Sequence, residues 1–328
     1  MNLMSSTGQF GPEVCLGVDV GGSSIKAGLV DRDGKVVASA VAPTPIGPDA
    51  AVETIAQLFD ELLREGRVAR SGVVGAGIGT PGPLSPSKGV IYRCANLEGW
   101  IDVPIRDLVS RRLGLPVVFD NDGNLAAFGE YWAGAGGRGG DMIALTLGTG
   151  VGCGIILDGR ILHGHFENAA EVGHLIVERD GRSCPCGQRG CLEQYASAAG
   201  LTKRVRDAVA AGAASRLGDG SGRQIDEITS RSIAEAAREG DALCARLWRD
   251  ACEYLAIACV NLQHVVNPAT IVLGGGLAEA GDILLDGVRE AFLRHRWRLA
   301  DDFPVIRRAV LGYDAGMIGA AGWAWADR

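Results

Sequence analysis

The sequence predicts an α/β protein of two domains. Three observations carry that prediction. Apolar runs of strand length alternate with stretches spaced as amphipathic helices. A unit of strand, glycine turn and strand occurs twice, once near the start and once near residue 150. The 328 residues also exceed the ~150 typical of one domain. Composition fits a globular chain, with 47% hydrophobic and 22% charged residues, and argues against global disorder. Glycine supplies 49 residues, about twice the usual share, which suggests tight turns and close backbone approach to a ligand.

Residues 14–20, VCLGVDV, read as a strand ending at Asp19 and the pair Gly21-Gly22. Residues 25–30 and 35–42 read as the next two strands, separated by Asp31, Asp33 and Gly34. Val52, Ile55, Leu58, Phe59, Leu62 and Leu63 recur at helical spacing, followed by a strand at 73–79 and a Pro/Gly loop at 80–89. Residues 116–122 read as a strand opening into a helix from Gly123 to about Trp132. The theme restarts at 142–162, a strand, a Gly/Thr turn and a second strand that look like a diverged copy of the opening. A loop-rich stretch at 163–192, a flexible linker at 212–223 and a helix from the 240s to the mid-260s follow. A strand at 271–273 then runs into Gly274-Gly275-Gly276 and another helix. The expected division is a smaller domain at 1–123 and a larger one at 124–312, with the tail 313–328 packing back on the first.

Lys and Arg number 32 against 39 Asp and Glu, a net charge of −7, which argues against a nucleic-acid partner. No run of ~20 apolar residues is present, so no membrane span is expected. The opening MNLMSSTGQFGPEV lacks the basic start and apolar core of a secretory signal, and a cytoplasmic location is expected. Of nine cysteines, Cys15, Cys94, Cys153, Cys244, Cys252 and Cys259 lie scattered in apolar settings and read as small buried hydrophobes. Cys184, Cys186 and Cys191 crowd into eight residues instead.

Asp19-Val20-Gly21-Gly22 lies between two strands, so neither a dinucleotide fingerprint nor a P-loop fits, since both need a helix behind the glycines. Such a hairpin can still wrap phosphate oxygens with backbone N–H groups while the carboxylate holds Mg²⁺ through water; an ordinary hairpin would look the same. The second hairpin, Gly148-Thr149-Gly150-Val151-Gly152, makes a two-sided polyphosphate grip the stronger reading. Gly274-Gly275-Gly276 is either a tight connection or, beside those hairpins, a seat for adenosine. His174, Cys184, Cys186 and Cys191, spaced H-x₉-C-x-C-x₄-C, match a closed, structural Cys₃His zinc site, with Gly187 and Gly190 easing the turns. Asn121-Asp122 either caps a helix or offers side chains to a ligand at a strand's carboxyl end. Glu171 and Glu193 stand out only by closeness to His174 and Cys191.

Together these segments resemble the ROK (repressor, open reading frame, kinase) family of the actin-like ATPase superfamily. LGVDVGGSSIKAGLVD and LTLGTGVGCGI resemble its two phosphate motifs, GIGTPGPL its connecting loop and NDGNLAAFGE its sugar-binding and catalytic segment. EVGHLIVERDGRSCPCGQRGCLEQYAS resembles the family signature and IVLGGGL the adenosine motif. The resemblance covers about residues 14–325, and GCLEQYAS is most similar to the bacterial glucokinases of the family. It implies an actin-like (ribonuclease H-like) α/β fold with two domains around a central cleft. The implied activity is ATP-dependent phosphorylation of a hexose, most simply glucose at its 6-hydroxyl, in a homo-oligomer, dimer or tetramer.

Residue by residue, the resemblance makes Asp122 the general base and Asn121 a sugar-hydroxyl partner. Glu171, His174 and Glu193 would hold hydroxyls on the anomeric side, with Gly82 behind the ring. Asp19 would serve Mg²⁺, Gly21, Gly22, Thr149 and Gly150 the phosphates, and Gly274, Gly275 and Gly276 the adenosine. At a helix N-terminus, the backbone dipole is expected to keep Asp122 ionised. Ala170 stands where the family usually has glycine, and Gly123 where alanine is common. A kinase for N-acetylmannosamine, fructose or allose shares nearly every motif, and polyphosphate could replace ATP as donor. A sugar-responsive repressor would carry a helix-turn-helix ahead of the first strand, where about 13 residues stand. Intact Asp19, Asp122 and paired hairpins speak against an inactive sugar sensor.

Overall fold

The computed structural model describes residues 13–94, 96–218, 225–299 and 301–328. The opening segment read for a signal, and 219–224 of the expected linker, lie outside them. Two compact units emerge: 1–133 with 313–328, and 134–312.

In the first unit, β1 (Val14–Val20), β2 (Ser24–Asp31) and β3 (Val36–Pro43) form an antiparallel meander. Helix α1 (Pro48–Glu65) follows, opened by a proline that needs no amide partner. It buries Val52, Ile55, Phe59 and Leu62, one helical face, in the unit's core. Then come β4 (Val73–Thr80), the short strands β5 (Leu84–Ser85), β6 (Val90–Arg93) and β7 (Ile101–Val103), and α2 (Ile105–Leu113). Next, β8 (Val117–Asn121) runs into α3 (Asp122–Trp132). The main sheet is ordered β3-β2-β1-β4-β8, with β4 parallel to both β1 and β8.

The second unit contains β9 (Met142–Leu147), β10 (Val151–Leu157), β11 (Arg160–Ile161), α4 (Glu193–Ala196), α5 (Ala198–Ala210), α6 (Ser230–Arg238) and α7 (Ala242–Val265). It continues with β12 (Thr270–Gly274), α8 (Asp282–His295) and β13 (Val305–Arg308). Its sheet, β11-β10-β9-β12-β13, repeats the first one's connectivity: an antiparallel meander, then two parallel strands. The two glycine hairpins, β1–β2 and β9–β10, hold equivalent places in the two sheets. This duplicated topology is that of the actin-like ATPase fold.

Helix α9 (Ala315–Ala326) returns to the first unit. A side chain on Gly319 would strike the Leu125 carbonyl of α3, and one on Gly77 the Ala320 carbonyl. Much of the glycine excess thus serves backbone-to-backbone packing as well as turns. The same packing corrects the expected boundary at residue 123: all of α3 lies against α9, so the first unit extends to Ala133.

Candidate functional site

In the first unit, Asp19, one residue before the end of β1, lies directly opposite Lys26 of β2. The buried Lys26 ammonium donates to Asp314 Oδ1 and the Tyr313 carbonyl, both at 2.9 Å, and lies 3.4 Å from the centre of the Tyr313 ring. Asp19 presses on the start of α9, where a side chain at Gly316 would come within 2.7 Å of its Oδ2. Burial, reinforced by the nearby Asp122 carboxylate and only partly offset by Lys26, pushes the Asp19 carboxyl up to about 6.

The resulting cost depends on pH. Near pH 4 Asp19 is protonated in the fold and asparagine changes little; as pH rises through about 6 the carboxylate must ionise where it is disfavoured. Asp19→Asn is therefore expected to stabilise the ligand-free, metal-free protein at neutral pH by up to about 2–3 kcal/mol, since each tenfold change in proton affinity is worth ~1.4 kcal/mol. Near pH 4 it should add almost nothing. Thermal melts at the two pH values check it, and equal gains at both would refute the assigned cause.

Gly21 and Gly22 form the β1–β2 turn, closed by Gly21 N–H to the Ser24 carbonyl at 2.9 Å. At the end of β8, Asn121 caps α3: its side-chain oxygen accepts from the N–H groups of Gly123 at 2.9 Å and Asn124 at 3.3 Å. Asp120 is fully buried and accepts from Asn124 Nδ2 at 2.9 Å. Capping thus falls to Asn121, and Asp122 occupies the first helical position. Its Oδ1 accepts from Gly123 N–H at 2.8 Å. Burial raises the Asp122 carboxyl above its ordinary range despite hydrogen bonds from Gly123 and Asn121 that favour the charge. At this helix end, then, desolvation works against the hydrogen bonds that favour the charge. Gly82 lies beside Asn121, its missing side chain 4.0 Å from Nδ2.

In the second unit, the β9–β10 turn, Glu171 to His174 and Glu193 come together. Glu193 Oε2 accepts from Val151 N–H at 3.1 Å and fills the space that a side chain on Gly150 would need. A short 3₁₀ turn, Val172–His174, runs against the Val151 carbonyl at Gly173 and presents the exposed Glu171 and half-buried His174. Ala170 holds φ 68°, a left-handed conformation that explains the family's glycine there.

His174 Nδ1 and the three thiols of Cys184, Cys186 and Cys191 lie within 4.8 Å of one another. Cys184 Sγ is 3.7 Å from His174 Nδ1, and Cys186 Sγ is 3.6 Å from Cys191 Sγ. Such separations are the edges of a tetrahedron around an ion with bonds of ~2.0–2.3 Å, so the donor set fits zinc. Backbone hydrogen bonding at Gln188 draws the Cys186 thiol down, while burial and its neighbours push Cys191 up to about 12. Two of the three thiols, Cys184 and Cys191, are buried rather than exposed. With Nδ1 turned to the thiols, Nε2 is the nitrogen left for a ligand.

A cavity of about 590 Å³ within this unit joins Gly148 and Thr149 of the hairpin to Gly276. Ser230, Arg231 and Glu235 of α6 complete its wall; they carry no motif, and the sequence reading missed them. Gly275, at φ 81°, packs on the Leu147 backbone, so it serves the β9–β12 contact rather than the wall. The glycine walls and the size suit a nucleotide.

The ROK family model matches residues 15–327. A glucokinase from Halalkalibacterium halodurans is 38% identical over 94% of this chain and 93% of its own. A ROK hexokinase from Thermus thermophilus superposes with a TM-score of 0.79 at 32% identity, covering 96% of this chain and 98% of that one. A ROK family glucokinase from Streptomyces griseus, solved with glucose and AMPPNP, gives 0.75 at 35% identity, covering 95% and 99%. A match over nearly the whole chain, on top of the duplicated sheets and the Cys/His cluster, means that this protein belongs to the ROK family.

Proposed function

We propose that the protein is an ATP-dependent hexokinase-type sugar kinase acting on glucose, forming glucose 6-phosphate in the first step of glycolysis. The observation that carries the reading is at α3: Asn121 meets the capping need, and the adjacent Asp122 is a half-buried carboxylate whose proton affinity is raised. A base works best when its proton affinity approaches the working pH. The named relatives support glucose as acceptor and ATP as donor.

Asp122 accepts the 6-hydroxyl proton as that oxygen bonds to the γ-phosphorus, and ADP departs with the electrons of the broken P–O bond. Phosphoryl transfer asks mostly for alignment and charge neutralisation. Asn121 orients Asp122 and the sugar, with Gly82 backing the ring; Glu171, His174 Nε2 and Glu193 hold further hydroxyls. Gly22, Thr149 and Gly150 offer backbone N–H groups to the phosphates, Gly21 holds the turn that presents them, and the cavity beside Gly276 takes adenosine. Asp19, a hard oxygen donor in a site already too negative, would hold Mg²⁺, which neutralises phosphate charge when bound. His174, Cys184, Cys186 and Cys191 would hold a structural Zn²⁺ that fixes the imidazole's aim. Among the described residues no helix is long and apolar enough to cross a membrane. We place the enzyme in the cytoplasm as a homo-oligomer, dimer or tetramer.

Nucleoside diphosphate release measured over a panel of hexoses and amino sugars, with ATP and with polyphosphate as donor, tests the reading. Glucose with ATP should give the highest kcat/KM. Preference for N-acetylmannosamine, fructose or allose would move the assignment to a sister kinase, and no transfer to any sugar would overturn it.

A further inference from the structure

Parallel strands β9 and β12 end, at their carboxyl side, beside the nucleotide cavity. At their amino ends, around Asp141 and Ala269, lies a second cavity of about 780 Å³. The carboxyl end of α7 and the segment after α8 supply the rest of its lining, and none of the residues assigned to phosphoryl transfer lines it.

Its chemistry is one-sided. Gln263, only 4% exposed, lines it, and its Oε1 has no hydrogen-bond partner. An orphaned buried acceptor is unusual, because leaving it unmet costs about 1–3 kcal/mol. Asp141 and Asp302 add carboxylates, and among the described residues no ion pair is recorded for either. Asp141 Oδ1 receives one backbone N–H, from Asp158 at 2.9 Å. The last turn of the 24-residue α7, with Gln263 and His264, brings the partial negative charge of a helix carboxyl end. Two rings complete the wall: the half-exposed Trp297 indole, edge-on to His264 with centroids 6.3 Å apart, and Phe303. Phe303 already takes the Arg296 guanidinium, 4.2 Å from its centroid.

Acceptors, carboxylates, a helix carboxyl end and an indole face all favour positive charge with N–H donors, and they disfavour phosphates. We propose that this cavity is a second ligand site, for a small organic ammonium. The amine lies against Trp297, its charge balanced by Asp141 and Asp302, and it donates a hydrogen bond to Gln263 Oε1. The site is separate from the sugar kinase reading and stands whichever sugar is the substrate.

The test titrates putrescine into the full chain, followed by calorimetry and tryptophan fluorescence. Two comparison probes are 1,4-butanediol, which has the length without the charge, and tetramethylammonium, which has the charge without N–H. Saturable putrescine binding with a Kd of about 1 mM or tighter is expected, no binding of the diol, and tetramethylammonium weaker by about tenfold or more. Asp302→Asn and Trp297→Ala should each weaken putrescine about tenfold or more, with sugar phosphorylation unchanged. Gln263→Leu should weaken it likewise without lowering the melting temperature, since it removes an unmet acceptor. The exposed Asp302 keeps the test sound should the Gln263 variant fold poorly. No saturable binding, equal binding of the diol, or indifference to Asp302→Asn would overturn the proposal. So would dissociation of an oligomer by Trp297→Ala, which would show that a second copy of the chain covers the cavity.

Discussion

Asp122→Asn is expected to lower kcat about 10²–10⁴-fold, the usual span for losing a general base, with glucose affinity little changed. The substitution keeps the side chain's shape and its place at the first position of α3 but removes the proton acceptor. Because Asn121 caps the helix through its own oxygen, folding does not depend on the Asp122 charge. Burial disfavours that charge, so the variant should melt at the same temperature as the parent or slightly higher. Steady-state kinetics with glucose binding by calorimetry decide the matter. A kcat within about threefold of the parent would show that Asp122 only shapes the turn.

The second large effect lies in the cysteine loop. Metal analysis should find about one zinc per chain, and Cys184→Ser should lose most of it together with activity, because a structural ion binds through its full donor set. Glucose KM should rise about 10–100-fold, the range seen when the support of a metal-bound histidine fails, and kcat should fall as well. The cause is specific: without the ion, His174 Nδ1 loses the partner that fixes which nitrogen faces a ligand, and the backbone path to Glu193 loosens. Cys186→Ser should behave alike. A metal-free parent enzyme with full activity would refute the zinc assignment.

What the sequence disclosed follows from distance along the chain. The hairpins were legible because an aspartate or threonine and paired glycines separate two apolar runs. The metal cluster was legible because its ligands all fall between His174 and Cys191. The wall of the cavity proposed for the nucleotide was read only in part: Thr149 and Gly276 stood in glycine turns, whereas Ser230, Arg231 and Glu235 lie on an ordinary amphipathic helix and line it only through packing. The desolvation of Asp122 was out of reach for the same reason. A helix end is visible locally, but burial depends on packing that no local pattern announces. Glycine was over-assigned to turns, since contacts such as Gly77 with Ala320 have no local signature.

The placement of α9 also sets an order on biosynthesis. The sheet β3-β2-β1-β4-β8 leaves the ribosome early, yet the helix that covers β1 and β4 is translated only after the whole of 134–312. At ~5–20 residues per second that is a delay of roughly 10–40 s. During it the second unit is free to fold, while the first shows an apolar, glycine-striped sheet face that α3 covers only at the β4–β8 side. Chaperone engagement should therefore concentrate on the amino-terminal nascent chain, and release should coincide with emergence of residues 315–326 rather than with completion of either sheet.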